Sequence, residues 1–307
     1  MMKVVFWGVR GSIPCPGPHT QKYGGNGACI ELRVGKKGRI VIIDAGSGIR
    51  ELGTYMMKND LPNGPISADL FLSHTHWDHI MGFPYFTPIY VPGTKMNVYG
   101  PVTFEEDPLE EVVGGQMKYR YFPVNFGELS SAIEYIRLNE NPNVDLGDGL
   151  TLRTKFLNHP IATLGYRFEF GGKVFCTCYD TEPYRNLFIS DPDHPDYDEA
   201  MALEGREVAE EQNQVLEKFF QGADLLVYDA QYTEEEYLAN RIGWGHTPIE
   251  YAVAAATRAG VKKLALFHHD PDRTDAQIDQ MAERYCQPGT ATTPEVFFAR
   301  ERLGVEL

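Results

Sequence analysis

Long apolar runs are missing from this chain of 307 residues. No stretch approaches the roughly 20 consecutive apolar residues that a membrane span needs, so no membrane partner is expected. Basic side chains are scarce as well. Lys and Arg number 28 against 43 Asp and Glu, a formal net charge of −15. A surface that acidic does not by itself attract a phosphate backbone. Nucleic acid is therefore not expected as a partner unless metal ions or one local basic groove help. Cysteines are few, odd in number and scattered: Cys15, Cys29, Cys176, Cys178 and Cys286. That pattern excludes a disulfide framework and fits reduced thiols in the cytoplasm. Cys176 and Cys178 lie within "KVFCTCYD", which reads as a strand with no second Cys pair. They are expected to pack as small apolar residues. The opening "MMKVVFWGVRGSIP" lacks the basic, apolar and small-residue succession of a secretion signal.

What is present is an ordinary globular balance, 43% apolar and 23% charged, with ample length for a core. One domain over 1–307 is expected, with halves of approximately 1–150 and 151–307. Strand-like runs alternate with turns near the start: "KVVFWG", "ACIELRV" and "GRIVIIDAG". A helix is predicted from about Gly48 to Asn59, then the strand "ADLFLS". Signals from Asp107 to Pro142 are mixed. That segment could pair two copies in a homodimer or cover a site. "LTLRTKFLNHP", "LGYRFEFGGKVFCTCYD", "ADLLVYDAQY" and "VKKLALFHHD" return to strands. "TEEE", "TPIE" and "TDAQ" each match a helix-opening capping box, with Pro248 as a first helical residue and Gly260 as a stop. The acidic run from Asp191 to Glu211 reads as a solvated loop entering a helix. Strands and then strands mixed with helices, in two comparable halves, suggest sheets covered by helices.

The densest chemistry is "LFLSHTHWDHIMG", Leu70 to Gly82. His74 and His76 are two apart in an extended segment, so they point the same way and can share one metal ion. Asp78 and His79 follow a turn and can serve a neighbouring position. Imidazole and carboxylate are common ligands for zinc and related divalent ions. Burying them without a metal would cost several kcal/mol. Four ligands cannot satisfy two metals, so others must arrive at strand ends. His159 ends "LTLRTKFLNHP", Asp180 ends "GGKVFCTCYD" and could bridge, and His268 and His269 end "KKLALFHH". This is a full ligand count for a pair of ions in the manner of two-metal hydrolases.

"SHTHWDH", with "IIDAG" upstream and "NHP", "YD" and "FHH" downstream, resembles the metallo-β-lactamase-fold hydrolases. "GHTP", Gly245 to Pro248, resembles their phosphodiesterase branch, which contains tRNase Z and cyclic-nucleotide phosphodiesterases. The resemblance covers about Val4 to Asp270. It implies an α/β (α+β) fold, a four-layer αβ/βα sandwich of two similar halves with the metals between them. It implies His74, His76 and His159 on a first ion, and Asp78, His79 and His268 on a second. Asp180 would bridge, and His269 is the alternative to His268. Asp44 would orient a ligand histidine. The ions are expected to be Zn2+, with Mn2+ or Fe as alternatives.

Two such ions would lower the pKa of a water between them, and the resulting hydroxide, with Asp78 at hand, would attack. His246 is the expected phosphate contact and general acid for the leaving oxygen. Asp229 is the candidate to orient it. Arg10, on the loop after "KVVFWG", could contact substrate phosphate or form a structural ion pair. Trp77, Trp244 and Tyr232 stand beside site motifs and could stack a base, although ordinary packing is the expectation for each. The favoured function is hydrolysis of a cyclic nucleotide or similar small phosphodiester. A tRNase Z-like endoribonuclease is the first alternative, set back by the lack of a basic run. A thioesterase or lactonase of the same fold is the second, and a metal-binding protein without catalysis is the third.

Overall fold

A computed structural model describes residues 1–102 and 108–307; Asp107, at the start of the segment of mixed signals, lies outside them. Among the described residues the strands form two seven-stranded sheets. The first holds β1 (Met2–Gly8), β2 (Cys29–Val34), β3 (Arg39–Ile43), β4 (Ser67–Phe71), β5 (Lys95–Pro101) and β6 (Ala132–Leu138). The second holds β7 (Asn141–Asp145), β8 (Thr151–Phe156), β9 (Leu164–Phe170), β10 (Lys173–Cys178), β11 (Leu225–Asp229), β12 (Lys263–Phe267) and β13 (Glu295–Phe298). The last strand, β14 (Gly304–Glu306), returns to pair with β1. Each sheet begins antiparallel and becomes parallel: β3 to β6 in the first, and β10 to β13 in the second.

Among the described residues seven α-helices form: α1 (Ile49–Asn59), α2 (Trp77–Ile80), α3 (Leu109–Gly114), α4 (Glu199–Phe220), α5 (Glu234–Asn240), α6 (Ile249–Arg258) and α7 (Asp275–Tyr285). The central parallel strands β3, β11 and β12 read as nearly unbroken apolar runs because both faces are covered. Along β3, Val41 and Ile43 face the other sheet, while Ile40 and Ile42 face α1. Along β11, Leu225 and Val227 face the first sheet, while Leu226 and Tyr228 pack under α4 and α6. The same alternation puts Cys176 and Cys178 fully buried under the helices, as packing residues. Helix, sheet, sheet and helix thus make the four layers.

Capping explains the helix starts. Thr233 accepts from Glu236 N–H while Glu236 answers to Thr233 N–H, and Thr274 with Gln277 does the same. "TPIE" does not behave this way. The N-cap of α6 is Pro248, with no side-chain cap. Thr247 instead donates its hydroxyl to Thr181 O at 2.5 Å, and Glu250 accepts from Glu234 N–H and Tyr285 O–H. Tertiary partners outcompeted the local cap. Gly260 stands just beyond α6 at φ +63°, the left-handed stop its position predicts. No helix among the described residues is long and apolar enough to cross a membrane.

Candidate metal centre

The site residues leave the carboxyl ends of the parallel strands, where open α/β sheets place their ligands. Asp44 follows β3, His74 to His79 follow β4, Asp180 follows β10, Asp229 ends β11 and His268 follows β12. Three of them turn the chain into the left-handed region: Asp44 at φ +60°, Asp180 at +56° and His268 at +63°. Such backbone is costly for a residue with a Cβ, and it gathers at functional sites. Here the turn swings each side chain from strand end to centre. It also separates the two C-terminal histidines. His268 enters the cluster, while His269 points away and donates Nε2–H to Ala299 O at 2.8 Å.

The donors form two groups of four that share Asp180: His74, His76, His159 and Asp180, then Asp78, His79, Asp180 and His268. Asp180 Oδ2 lies 3.6 Å from His74 Nε2 and 3.9 Å from His159 Nε2. Its Oδ1 lies 3.2 Å from both His79 Nε2 and His268 Nε2. Asp78 Oδ2 lies 3.3 Å from His79 Nε2 and 3.2 Å from His268 Nε2. His76 Nδ1 and His159 Nε2 converge at 3.2 Å.

The surroundings prepare these atoms to bind a cation. Asp44 Oδ1 accepts Ser73 N–H at 2.6 Å, and its Oδ2 accepts Ser73 O–H at 2.8 Å and His79 Nδ1–H at 2.6 Å. Ser73 Oγ then lies 3.0 Å from His74 Nδ1 and can accept its proton. Asp44 thereby holds the Nδ1 protons of both His79 and His74, so that Nε2 of each can offer its lone pair to a cation, the tautomer that ligation requires. His159 Nδ1 donates to Gly245 O at 3.0 Å, with the same result. Buried His74 Nε2, His79 Nε2 and Asp180 Oδ1 have no hydrogen-bond partner among the described residues. Polar atoms left so at the centre of a core are expensive unless something binds them. Burial pushes His74 well below its usual range and His159 down to about 4, so both rings are neutral. Burial also works against a charged His79, but Asp180, Asp78 and Asp44 raise its proton affinity well above normal, so without a cation its Nε2 takes up a proton that a bound metal would displace. Two buried carboxylates facing lone pairs are a donor set that a divalent cation satisfies, so the residues fit the expected metal.

His246 stands beside the cluster. Its ring stacks on His268, with centroids 4.9 Å apart, and lies 5.6 Å from His159. Its Nδ1 donates to Asp229 Oδ2 at 2.8 Å, which leaves Nε2 free to carry a proton. Burial opposes the imidazolium, yet Asp229 raises the pKa to about 9. The loop that carries His246 is held by a residue the sequence did not single out. Buried Glu182 accepts Tyr237 O–H at 2.6 Å, Gly243 N–H at 2.8 Å and Gly245 N–H at 2.9 Å. Its backbone also pairs with Asn158, next to His159. No motif marked it, and only its place two residues after Asp180 could have drawn notice. Gly245 is required where it stands: φ is +82°, and a Cβ would lie 2.4 Å from His159 Nδ1.

Arg10 departs from the expected substrate contact. It is fully buried and spends its guanidinium on the carbonyls of Gly24, Asp270 and Arg273. It fixes the loop that lets Ser12 N–H donate to Asp78 Oδ2 at 2.7 Å. Tyr232 packs inside as expected, at 5% exposure, but Trp77 and Trp244 do not: they are 77% and 56% exposed.

Residues 23–165 match the family model described as the Metallo-beta-lactamase superfamily. The chain is 24% identical to a Ribonuclease Z of Synechococcus sp. (strain CC9311), with 100% of this chain and 99% of that protein covered. Human tRNase Z, short form, superposes with a TM-score of 0.61 at 19% identity, over 99% of this chain and 98% of that one. A diphosphatase from the PhnP family superposes with a TM-score of 0.59 at 16% identity, over 100% of this chain and 98% of that one. Relatives named for ribonuclease activity weaken the expectation that nucleic acid is not a partner.

Proposed function

From the premise that this chain is a metal-dependent hydrolase of the metallo-β-lactamase fold, we propose that it hydrolyses phosphodiesters. Two divalent ions, zinc by preference, would be held by His74, His76 and His159 and by Asp78, His79 and His268, with Asp180 between them. The observation that carries this reading is the division of the Asp180 oxygens between two imidazole groups, with the His246–Asp229 pair beside them. The bound ions supply an acidified water and positive charge for the phosphate oxygens. The chain's own residues do the rest. Asp44 and Ser73 hold the ligand tautomers. Ser12 N–H and the buried loop under it orient Asp78. His246, protonated through its pairing with Asp229, gives a proton from Nε2 to the leaving oxygen. Glu182 keeps His246 and Gly245 in register with His159. A thioester or lactone hydrolase has less use for this acid, which favours the phosphodiester.

For the substrate, the whole-length relatives support RNA, in the manner of ribonuclease Z. A small cyclic diester is the second reading. The formal net charge of −15 favours it, as does the exposed acidic run from Asp191 into α4. The test is turnover of metal-loaded protein on a 3′-extended tRNA precursor beside 3′,5′-cyclic AMP and cyclic GMP. Cleavage of the precursor supports RNA, and opening of the cyclic nucleotides alone supports the small diester. His246→Ala should lower turnover by about 10²–10⁴-fold with metal content unchanged. Failure on every diester, with both ions bound, overturns the proposal.

A further inference from the structure

The chain has three tryptophans. Trp7 is packed, 3% exposed, with its indole N–H donated to Glu31 at 3.0 Å. The other two are the exposed Trp77 and Trp244. A large apolar ring left in water costs stability unless it serves contact with something else. Neither ring belongs to a core cluster. Both adjoin residues of the metal centre in sequence. Trp77 follows His76 and opens α2, and Trp244 stands two residues before His246. Ring contacts run from His76 to His159 at 5.0 Å and from His159 to His246 at 5.6 Å, so the histidines beside the two indoles belong to one contiguous set. The Trp244 ring is steadied by the guanidinium of Arg241, 4.5 Å from its centroid. A cleft of about 250 Å³ opens against His159, lined by Pro160, Tyr184 and Arg185 and by Gly243 and Gly245, the residues on either side of Trp244.

We infer that Trp77 and Trp244 are stacking platforms for a nucleobase of the substrate. The inference rests on the phosphodiesterase reading and narrows it to nucleotide-bearing diesters. It also accounts for how an acidic protein holds a nucleotide. Metal charge takes the phosphate, and an indole face takes the base without needing positive charge nearby. Every base has a π-face, so such platforms bind bases with little sequence preference.

The experiment titrates tryptophan emission of the metal-loaded full chain with AMP and with ribose 5-phosphate, which carries the same phosphate and no base. AMP should quench the emission and bind about tenfold or more tighter than ribose 5-phosphate. Trp77→Ala and Trp244→Ala should each lose several-fold of AMP affinity, with ribose 5-phosphate affinity changed less than about twofold. Both rings are exposed, so thermal melting should stay unchanged, and Trp→Phe at either position should give intermediate AMP affinity. Equal affinity for the two ligands overturns the inference. So does wild-type AMP affinity in both alanine variants, including the case in which only their oligomeric state changes. Hydrolysis of bis(p-nitrophenyl) phosphate, and its loss in His246→Ala, is read separately. Hydrolysis without AMP preference removes the platforms alone, and AMP preference without hydrolysis removes the phosphodiesterase reading alone.

Discussion

Replacing Asp44 with Asn removes one charge and adds two N–H donors at a fully buried point that serves two ligand histidines. In the wild type, three donors converge on this carboxylate: Ser73 N–H, Ser73 O–H and His79 Nδ1–H, at 2.6, 2.8 and 2.6 Å. An asparagine can still accept from Ser73 N–H, but its NH₂ then faces His79 Nδ1. To avoid donor against donor, His79 must move its proton to Nε2, the nitrogen that faces Asp78 and Asp180. The ligand lone pair is then lost. A hydrogen bond to a charged group contributes about 1.5–3 kcal/mol, so the metal-free protein should lose roughly that much stability. Mutation of such supporting partners costs about 10–100-fold in metal affinity, which is about 1.4–2.8 kcal/mol and agrees in size. Competition against a chromophoric chelator measures the affinity, and urea denaturation of the metal-free protein measures the stability. Wild-type metal affinity in Asp44→Asn would refute the tautomer argument, even if stability fell.

Other expectations follow from single contacts. Glu182→Gln keeps the volume but weakens two bonds to the His246 loop and one to Tyr237 in α5, so turnover should fall by about tenfold while metal content stays at the wild-type level; loss of metal instead would mean that Glu182 supports His159 rather than His246. Gly245→Ala forces a Cβ against His159 at positive φ, and a destabilisation of about 2 kcal/mol or more with weakened metal binding should be seen by denaturation and metal analysis. Glu236 illustrates pH dependence away from the metals. Burial pushes its carboxyl up, but the two-pronged contact with Arg273 outweighs this and lowers the pKa to about 2. A depressed carboxyl stabilises the fold above its unfolded pKa, and the benefit is lost as pH falls through the folded value. Glu236→Gln should therefore cost no more than about 1 kcal/mol at neutral pH, because the pair is partly exposed. The difference from wild type should shrink below about pH 4.5 and vanish near pH 2. A difference that is flat with pH would disprove the ion pair's role.

Much of the centre was legible because its chemistry is crowded and its supports are regular. Three histidines and an aspartate after an apolar strand leave few alternatives, and Asp180 and His268 end strands whose runs are nearly unbroken because both faces are buried. The choice between His268 and His269 was not legible, since both end the same run; a single positive φ decides it. Thr247 carried a valid local signal and was claimed by Thr181 across the fold. Glu182 gave no signal, because its role consists of backbone N–H groups some 60 residues away. Arg10 is placed near the centre as its loop suggested, but its Nε and Nη1 are taken by three carbonyls. Charge composition spoke against nucleic acid, yet a summed charge does not describe the field at one local site.

If two divalent ions share Asp180, its carboxylate is needed by both. Metal analysis of purified wild type and Asp180→Ala tests this sharing most directly. Two ions per chain are expected in the wild type, and both should be lost together in the variant. One ion in the wild type, or two retained in Asp180→Ala, would contradict it.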